Sequence, residues 1–156
     1  MSDLEKIIND VWQNKNQVNQ NSDKSIIDTI NKIIDLLDKG KVRVAEKIKG
    51  EWITHQYIKK AIMLSFRIYG METLAGPYSS WHDKAHLLKG KTAGWTKEDF
   101  EKAGFRMVPN SPVRKGSFIA KNVVLMPCFI NTGAYIGSGT MTVSYTHLTL
   151  PTILLV

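Results

Sequence analysis

A six-residue spacing of apolar side chains limits the folds open to the C-terminal part of this chain. The spaced residues are Phe118, Val124, Ile130 and Ile136. Two positions before each stands a small or compact residue: Gly116, Asn122, Cys128 and Ala134. An α-helix repeats about every 3.6 residues and a strand every two, whereas a hexapeptide solenoid repeats every six. The pattern predicts a left-handed β-helix in which the four apolar residues point inward, with an ordinary meander of evenly spaced strands as the alternative.

Three stretches before this repeat place apolar residues on one helical face. They predict helices over residues 3–14, from a cap at Ser22 or Asp23 to Lys39, and from Thr54 or His55 to the residue before Gly70. Between the second and third predicted helices, apolar and polar residues alternate from Val42 onward. Lys49-Gly50 interrupts this alternation, which predicts a β-hairpin.

The stretch from Met71 to Gly94 has no clear period, so we expect a loop or an irregular arm there. Thr96 and Asp99 then form a capping-box pattern, and Gly104 is the predicted helix stop. The predicted class is α+β. An N-terminal helical domain with a β-hairpin and an arm occupies residues 1–107, and the first hexapeptide coils occupy residues 108–141.

The net charge of +7 is spread over the chain without a long basic run. A solvated surface explains such a distribution, with an anionic ligand as the alternative, and nucleic-acid binding is not expected. The start MSDLEKIIND lacks a secretory pattern, and no apolar stretch reaches the roughly 18 residues of a membrane helix, so we expect a cytoplasmic protein without a membrane partner. The single cysteine, Cys128, indicates a small buried residue rather than a metal site.

Three blocks carry a resemblance to a known family. They are VRVAEKIKGEWITHQYIKKAIMLSFRI (42–68), GFRMVP (104–109) and VRKGSFIAKNVVLMPCFINTGAYIGSGTM (113–141). In this order they resemble bacterial tetrahydrodipicolinate N-succinyltransferases, and the likeness runs from about residue 3 to Met141. It implies a homotrimer with catalytic clefts between neighbouring subunits. The implied reaction moves the succinyl group of succinyl-CoA, a cosubstrate, onto the amino group of ring-opened tetrahydrodipicolinate (L-2-amino-6-oxopimelate) in lysine and diaminopimelate biosynthesis.

The resemblance also implies a substrate-binding residue. Arg106 in GFRMVP matches the family's substrate-binding arginine, and a planar guanidinium suits an acceptor with two carboxylates. On spacing alone, a surface salt bridge is the alternative. Arg114 is a weaker candidate for an anionic contact, with a solvated side chain as the alternative. Asp83 and Lys84 lie where the family has a related segment, but the residues after them depart from it, so no catalytic role is assigned to either.

An amine that attacks a thioester must lose a proton, which draws attention to the histidines. His55, His82 and His86 have no orienting carboxylate at a convincing spacing in the sequence, and His55 suits a structural hydrogen bond at a helix entry. No catalytic residue is therefore assigned. No metal-ligand cluster, phosphate loop or permanently bound cofactor is predicted, since direct transfer between two substrates needs none of these.

The likeness stops at Thr142. The family has valine and then a substrate-binding aspartate there, whereas this chain has Thr142 and Val143. VSYTHLTLPT (143–152) is what a codon string resembling a transposase adapter of sequencing libraries would encode. We therefore interpret residues 142–156 as a non-native tail and expect the chain as given to be an inactive fragment. The alternative is a natural, non-catalytic short paralogue, or an assembly module that joins full-length hexapeptide-repeat trimers.

This interpretation predicts that resequencing the source DNA beyond codon 141 will give Val-Asp and further hexapeptides. A native gene that ends in VSYTHLTLPT would contradict it.

Overall fold

The computed structural model describes residues 3–76 and 79–143, except for the side chains of Ala85 and Leu88. Its N-terminal part is built from three packed helices: α1 (Asp3–Gln13), α2 (Lys24–Asp38) and α3 (Gln56–Ile68). Their apolar faces form one core around Ile8, Ile30, Ile34, Ile58 and Leu64. The three predicted helices are confirmed, and their ends fall within about two residues of the predicted ones. None of the helices in the described ranges combines the length and apolar character that crossing a bilayer requires.

The predicted hairpin is also present. Strands β1 (Ala45–Ile48) and β2 (Glu51–Thr54) pair antiparallel. Lys49 and Gly50 between them have φ angles of 50° and 91°, which suits the two-residue turn that matches the twist of a hairpin. The strand starts later than the alternation predicts, because Val42 and Val44 pack against the helical core instead.

The prediction of a loop or irregular arm over Met71–Gly94 is wrong. This stretch forms an antiparallel hairpin, β3 (Glu72–Ala75) with β4 (Ser80–Asp83), followed by α4 (Ala85–Thr92). Most residues of both strands are exposed, so no alternation of buried and exposed positions marks them in the sequence. Tertiary contacts hold α4: Leu87 is fully buried and its carbonyl accepts from the backbone N–H of Lys115 at 2.6 Å.

Helix α5 (Lys97–Ala103) confirms the predicted capping box. The Thr96 hydroxyl accepts from the Asp99 N–H at 3.4 Å, and the Asp99 carboxylate accepts from the Thr96 N–H at 2.8 Å. Gly104 ends the helix in the left-handed conformation, with φ at 74°.

After α5 the strands are short and pair in parallel. Strand β5 (Arg106–Met107) pairs with β7 (Val124–Leu125), and β6 (Phe118–Ile119) pairs with β8 (Tyr135–Ile136). Further parallel bridges join Val113 to Ile130 and Val124 to Met141. Each pairing joins a residue to one 17 or 18 positions later. The described chain is thus α+β, with a helical N-terminal region followed by small strands.

Of the four predicted inward residues only Ile130 is buried, and Ile136 is half-buried but packs against the core of the parallel strands. The prediction is wrong at Phe118 and Val124. The buried apolar residues of this part include Val113, Ile119, Leu125 and Ile130, whereas Phe118 and Val124 are only half-buried. Val113, Ile119 and Leu125 keep a six-residue step but lie one position after the predicted phase. A five-residue step then leads to Ile130, which lies in that phase, and this shorter step agrees with the pairings of residues 17 apart. The Phe118 ring instead packs against the Tyr135 ring, with 4.8 Å between centroids, and beside Gly40.

The predicted break at Thr142 falls within a paired stretch of the structure. The Thr142 N–H donates to the Val124 carbonyl at 3.0 Å, and its hydroxyl accepts from the Met126 N–H at 2.9 Å. The rest of the predicted non-native tail, residues 144–156, lies outside the described residues.

The burial pattern leads to a prediction that distinguishes the buried positions of the structure from those expected from the six-residue spacing. Leu125→Ala leaves a cavity in a fully buried site and should lower the free energy of unfolding by about 2–5 kcal/mol. Val124→Ala, one residue away and half-buried, should lower it by roughly half that or less. Urea unfolding of both variants measures the difference. If both variants lose equal free energy of unfolding, or if Val124→Ala loses more, Val124 is the inward residue, as the six-residue spacing predicts.

Candidate functional site around Arg106

Arg106 stands at the start of β5, directly after the end of α5. Its backbone N–H donates to the Val123 carbonyl at 2.9 Å, which fixes it to the neighbouring strand. Because side chains alternate along an extended segment, Phe105 points into the protein and is 7% exposed, while Arg106 points outward and is exposed. The local sequence therefore presents the guanidinium on a rigid strand.

Three aromatic side chains next to this strand pack against one another. The ring centroids of Trp95, Phe100 and Phe105 lie 5.1 to 5.9 Å apart, in tilted and edge-to-face arrangements. This aromatic cluster packs against the apolar core of the parallel strands. The end of α5 and the start of β5 are thus held in one position relative to the strands.

Arg106 lines an open cavity of about 420 Å³. The other lining residues come from α5 and β5 and the turn between them: Phe100, Glu101, Gly104, Phe105 and Met107. Within residues 3–76 and 79–143 the Arg106 guanidinium makes no hydrogen bond or ion pair with the protein. A free guanidinium in a cavity of this size suits a small carboxylate ligand.

Arg114, the weaker candidate, lies elsewhere and is not solvated. Its guanidinium pairs with the Asp83 carboxylate and donates to the Asn131 side-chain oxygen at 3.2 Å, and its side chain is only 11% exposed. The Phe66 and Phe129 rings flank it at 5.5 and 5.3 Å from their centroids. Since Asp83 already balances its charge, Arg114 has a structural partner rather than a free anion-binding face.

The Asp83 carboxyl is held in its charged form. Burial raises its pKa, but the Lys84 backbone N–H and the Arg114 guanidinium outweigh burial and bring the pKa below the ordinary value of 3.8. A carboxylate paired in this way is a poor proton carrier at neutral pH.

The expectation that no histidine has a carboxylate partner is wrong for His55. Its Nε2 lies 2.7 Å from the Glu46 Oε1, across the first hairpin. The two residues are nine positions apart in the sequence, and only the pairing of β1 with β2 brings them together. The link joins the hairpin to the start of α3, which agrees with the structural hydrogen bond expected of His55.

The other two histidines considered as proton acceptors also lie away from Arg106. His86 stacks on Tyr69 with 3.7 Å between ring centroids, and burial, assisted by the charge of Lys115, lowers its pKa. His82 Nδ1 lies 3.2 Å from the Thr73 hydroxyl. Among the residues that the structure describes, no histidine lines the Arg106 cavity.

A larger cavity of about 890 Å³ lies between the second hairpin, α4 and the start of the parallel strands. Its lining is mainly apolar and includes Trp81 and Phe129. Its charged residues are already engaged, Asp83 with Arg114 and Lys89 with Glu72 at 3.0 Å. Among the described residues its lining holds no unpaired cation like Arg106, so the Arg106 cavity is the better candidate for an anionic substrate. Across the described ranges, no three metal-ligating side chains come together.

Comparison with known proteins gives the class and then the family. Residues 3–68 match the model of the tetrahydrodipicolinate N-succinyltransferase N-terminal region. The chain is 68% identical over 136 residues to the 2,3,4,5-tetrahydropyridine-2,6-dicarboxylate N-succinyltransferase of Pelagibacter ubique, covering 87% of this chain and 50% of that protein. It is 46% identical over 138 residues to the enzyme of the same name from Dechloromonas aromatica, covering 88% and 50%.

The relatives that it matches are named as succinyltransferases. Over the part that it shares with them, the chain belongs to the tetrahydrodipicolinate N-succinyltransferase family, which confirms the resemblance inferred from the sequence. The chain spans about half the length of the curated relatives it matches.

The lowered pKa of Asp83 predicts a pH dependence of stability. Because the folded pKa lies below the unfolded one, the stabilisation is fully present above about pH 4 and is lost as the pH falls through the lowered pKa. Asp83→Asn removes this contribution, so its free energy of unfolding should fall less between pH 5 and pH 2.5 (roughly the range of carboxyl titration) than that of the unaltered chain. Urea unfolding across this range measures both slopes.

Asp28→Asn is the matched control, because Asp28 is an exposed aspartate on α2. It should keep the slope of the unaltered chain. An Asp83→Asn variant with that same slope would contradict the role of the ion pair.

Proposed function

We propose that the protein represented by this chain transfers the succinyl group of succinyl-CoA to the amino group of L-2-amino-6-oxopimelate, the ring-opened form of tetrahydrodipicolinate. The main support is the 68% identity to a relative that carries the name of this activity. In the reaction the neutral amine attacks the thioester carbonyl, the amide bond forms, the CoA thiol leaves and the amine gives up a proton. The step belongs to lysine and diaminopimelate biosynthesis, and we place it in the cytoplasm.

Arg106 is proposed to bind the acceptor. The acceptor carries a carboxylate at each end, and a guanidinium can hold one of them through two parallel hydrogen bonds. The unpaired side chain of Arg106 on a supported strand favours this role over the surface salt bridge that spacing alone would allow. Holding the acceptor in place supplies the positioning that direct transfer between two bound substrates requires.

Residues 108–141 are proposed to form the first coils of a left-handed β-helix, after a helical domain over residues 1–107. The parallel pairing of residues 17 or 18 positions apart supports this, because one coil of a three-sided hexapeptide prism takes about 18 residues. The active assembly is proposed to be a homotrimer in which a neighbouring subunit closes the open Arg106 cavity. We further propose that residues 1–156 alone are inactive, since they represent about half of the relatives' length.

A chimera tests the activity and the role of Arg106 together. Residues 1–141 of this chain are joined to the C-terminal half of the Pelagibacter ubique relative, and release of the CoA thiol is measured. The chimera should form trimers and turn over, whereas the chain 1–156 should not. Arg106→Ala should raise the KM for the acceptor by roughly tenfold to a hundredfold, as expected for loss of hydrogen bonds to a charged group, without a matching rise in the KM for succinyl-CoA.

Arg67→Ala is the control for a lost positive charge, because Arg67 is an exposed arginine on α3 outside this cavity. Its kinetic constants should stay close to those of the unaltered chimera. A trimeric chimera that releases no thiol would contradict the proposed activity, and an unchanged acceptor KM in Arg106→Ala would remove that residue from the site.

A further inference from the structure

We propose that the first hairpin, β1–β2, docks into the large apolar cavity of a second copy of this chain. The inference rests on the proposed function and deepens it, because it names a contact by which neighbouring subunits of the homotrimer hold each other. Each subunit then gives its hairpin to one neighbour and receives a hairpin from the other.

The first hairpin is exposed to solvent along nearly its whole length. Seven of the eight residues in its two strands are exposed, and Trp52, next to the turn, is 73% exposed. A two-stranded hairpin by itself is marginally stable at best in water. A largely exposed tryptophan on such an element indicates a surface that binds a partner.

Apolar side chains stand on both faces of this hairpin. Residues that lie directly opposite each other in an antiparallel pair share a face, and neighbours along a strand alternate between faces. The register of β1 with β2 therefore puts Ile48 and Ile53 on one face and Trp52 on the other. The two isoleucines are 40% and 39% exposed. A hairpin of this kind suits a cleft with two apolar walls better than a flat surface.

The large apolar cavity has two such walls. One is the second hairpin, with Leu74 and Trp81, and the other is the start of the parallel strands, with Val113 and Phe129. Its volume of about 890 Å³ is near the upper end of the range usual for binding cavities. Trp81 is 51% and Phe129 54% exposed, so much of the aromatic surface of both walls is open to a partner.

Ion pairs hold the walls of this cavity in place. Asp83 of β4 pairs with Arg114, which belongs to the parallel-strand part. Glu72 of β3 pairs with Lys89 of α4 at 3.0 Å. The second hairpin is thus attached both to the strands and to the helix that line the cavity with it. A cavity formed in advance favours association, because little has to be ordered when a partner binds.

The cavity adjoins the part of the chain where a neighbouring subunit is proposed to lie. Met107 lines both the large cavity and the Arg106 cavity, which the neighbour is proposed to close. A neighbour that reaches the Arg106 cavity therefore lies beside the large cavity as well. This continuity favours a second copy of the chain as the occupant over an unrelated protein.

The hairpin and the cavity are also placed as a ring of subunits requires. A cyclic trimer is held by head-to-tail contacts, so each subunit needs two different patches that complement each other. The base of the first hairpin lies near β8, where the Arg43 guanidinium is 3.5 Å from the centroid of the Tyr135 ring. The cavity instead adjoins the parallel bridge between Val113 and Ile130. Among the described residues, none of the hairpin lines the cavity of its own chain.

Photo-cross-linking in the trimeric chimera locates the hairpin. Trp52→benzoylphenylalanine places a photoreactive group at the exposed position. Irradiation should give a covalent dimer in which the peptide of residue 52 is joined to a peptide that carries Trp81 or Phe129, as identified by mass spectrometry. No cross-linked dimer, or cross-links from position 52 only to other segments or to a foreign protein, would overturn the inference.

Met63→benzoylphenylalanine is the matched control for the cross-link. Met63 is 56% exposed on α3, and it lines neither the large cavity nor the Arg106 cavity. This variant should give no cross-link to the peptides of Trp81 and Phe129. If it gives the same cross-links as position 52, the contact is not specific and the inference fails.

The strength of the contact is measured by sedimentation velocity of the chimera over a dilution series. Trp52→Ala should weaken association of the subunits by roughly tenfold to a hundredfold, as expected for a tryptophan at the centre of an interface. Met63→Ala should leave association unchanged. Equal association of both variants would overturn the inference.

Failure of the docking is distinguishable from failure of the proposed function. If the chimera forms trimers and releases the CoA thiol while position 52 does not reach the cavity of a neighbour, the docking alone is overturned. If the chimera forms no trimers, the proposed homotrimer and the docking are both overturned.

Discussion

One carboxylate holds together the parts of the chain that present the site. Asp38, the last residue of α2, pairs through Oδ1 with the Lys91 ammonium at 3.0 Å and accepts from the Gly116 N–H at 2.8 Å. The Lys91 side chain is only 7% exposed, and leaving its charge buried without a partner would cost several kcal/mol (about 3–5). The helical core, α4 and the first turn of the parallel strands therefore meet at this point, and α5 and Arg106 follow α4 along the chain.

Features that depend on neighbouring residues in the sequence were predictable. The three long helices, the Lys49-Gly50 turn and the capping box each rest on residues a few positions apart, and all are confirmed. Arg106 was singled out by the resemblance, since the spacing of the residues alone favoured a surface salt bridge. The structure adds that its guanidinium has no protein partner within the described ranges.

Features that depend on distant contacts were missed. The hairpin after Met71 is mostly exposed and carries no alternation, so its sequence resembles a loop. The Glu46–His55 and Asp83–Arg114 pairs form only after strands bring their members together. The predicted inward positions were wrong at Phe118 and Val124, because one step of the repeat is five residues long and six-residue counting does not detect it.

The central claim is that the unpaired guanidinium of Arg106 is the group that receives the acceptor's carboxylate. The most direct measurement is the NMR resonance of each arginine Nε–H group in the trimeric chimera as a dicarboxylate acceptor analogue is added. The account predicts that the Arg106 resonance shifts and saturates, while that of the ion-paired Arg114 stays in place. A saturating shift at Arg114 or another arginine, with none at Arg106, would contradict it.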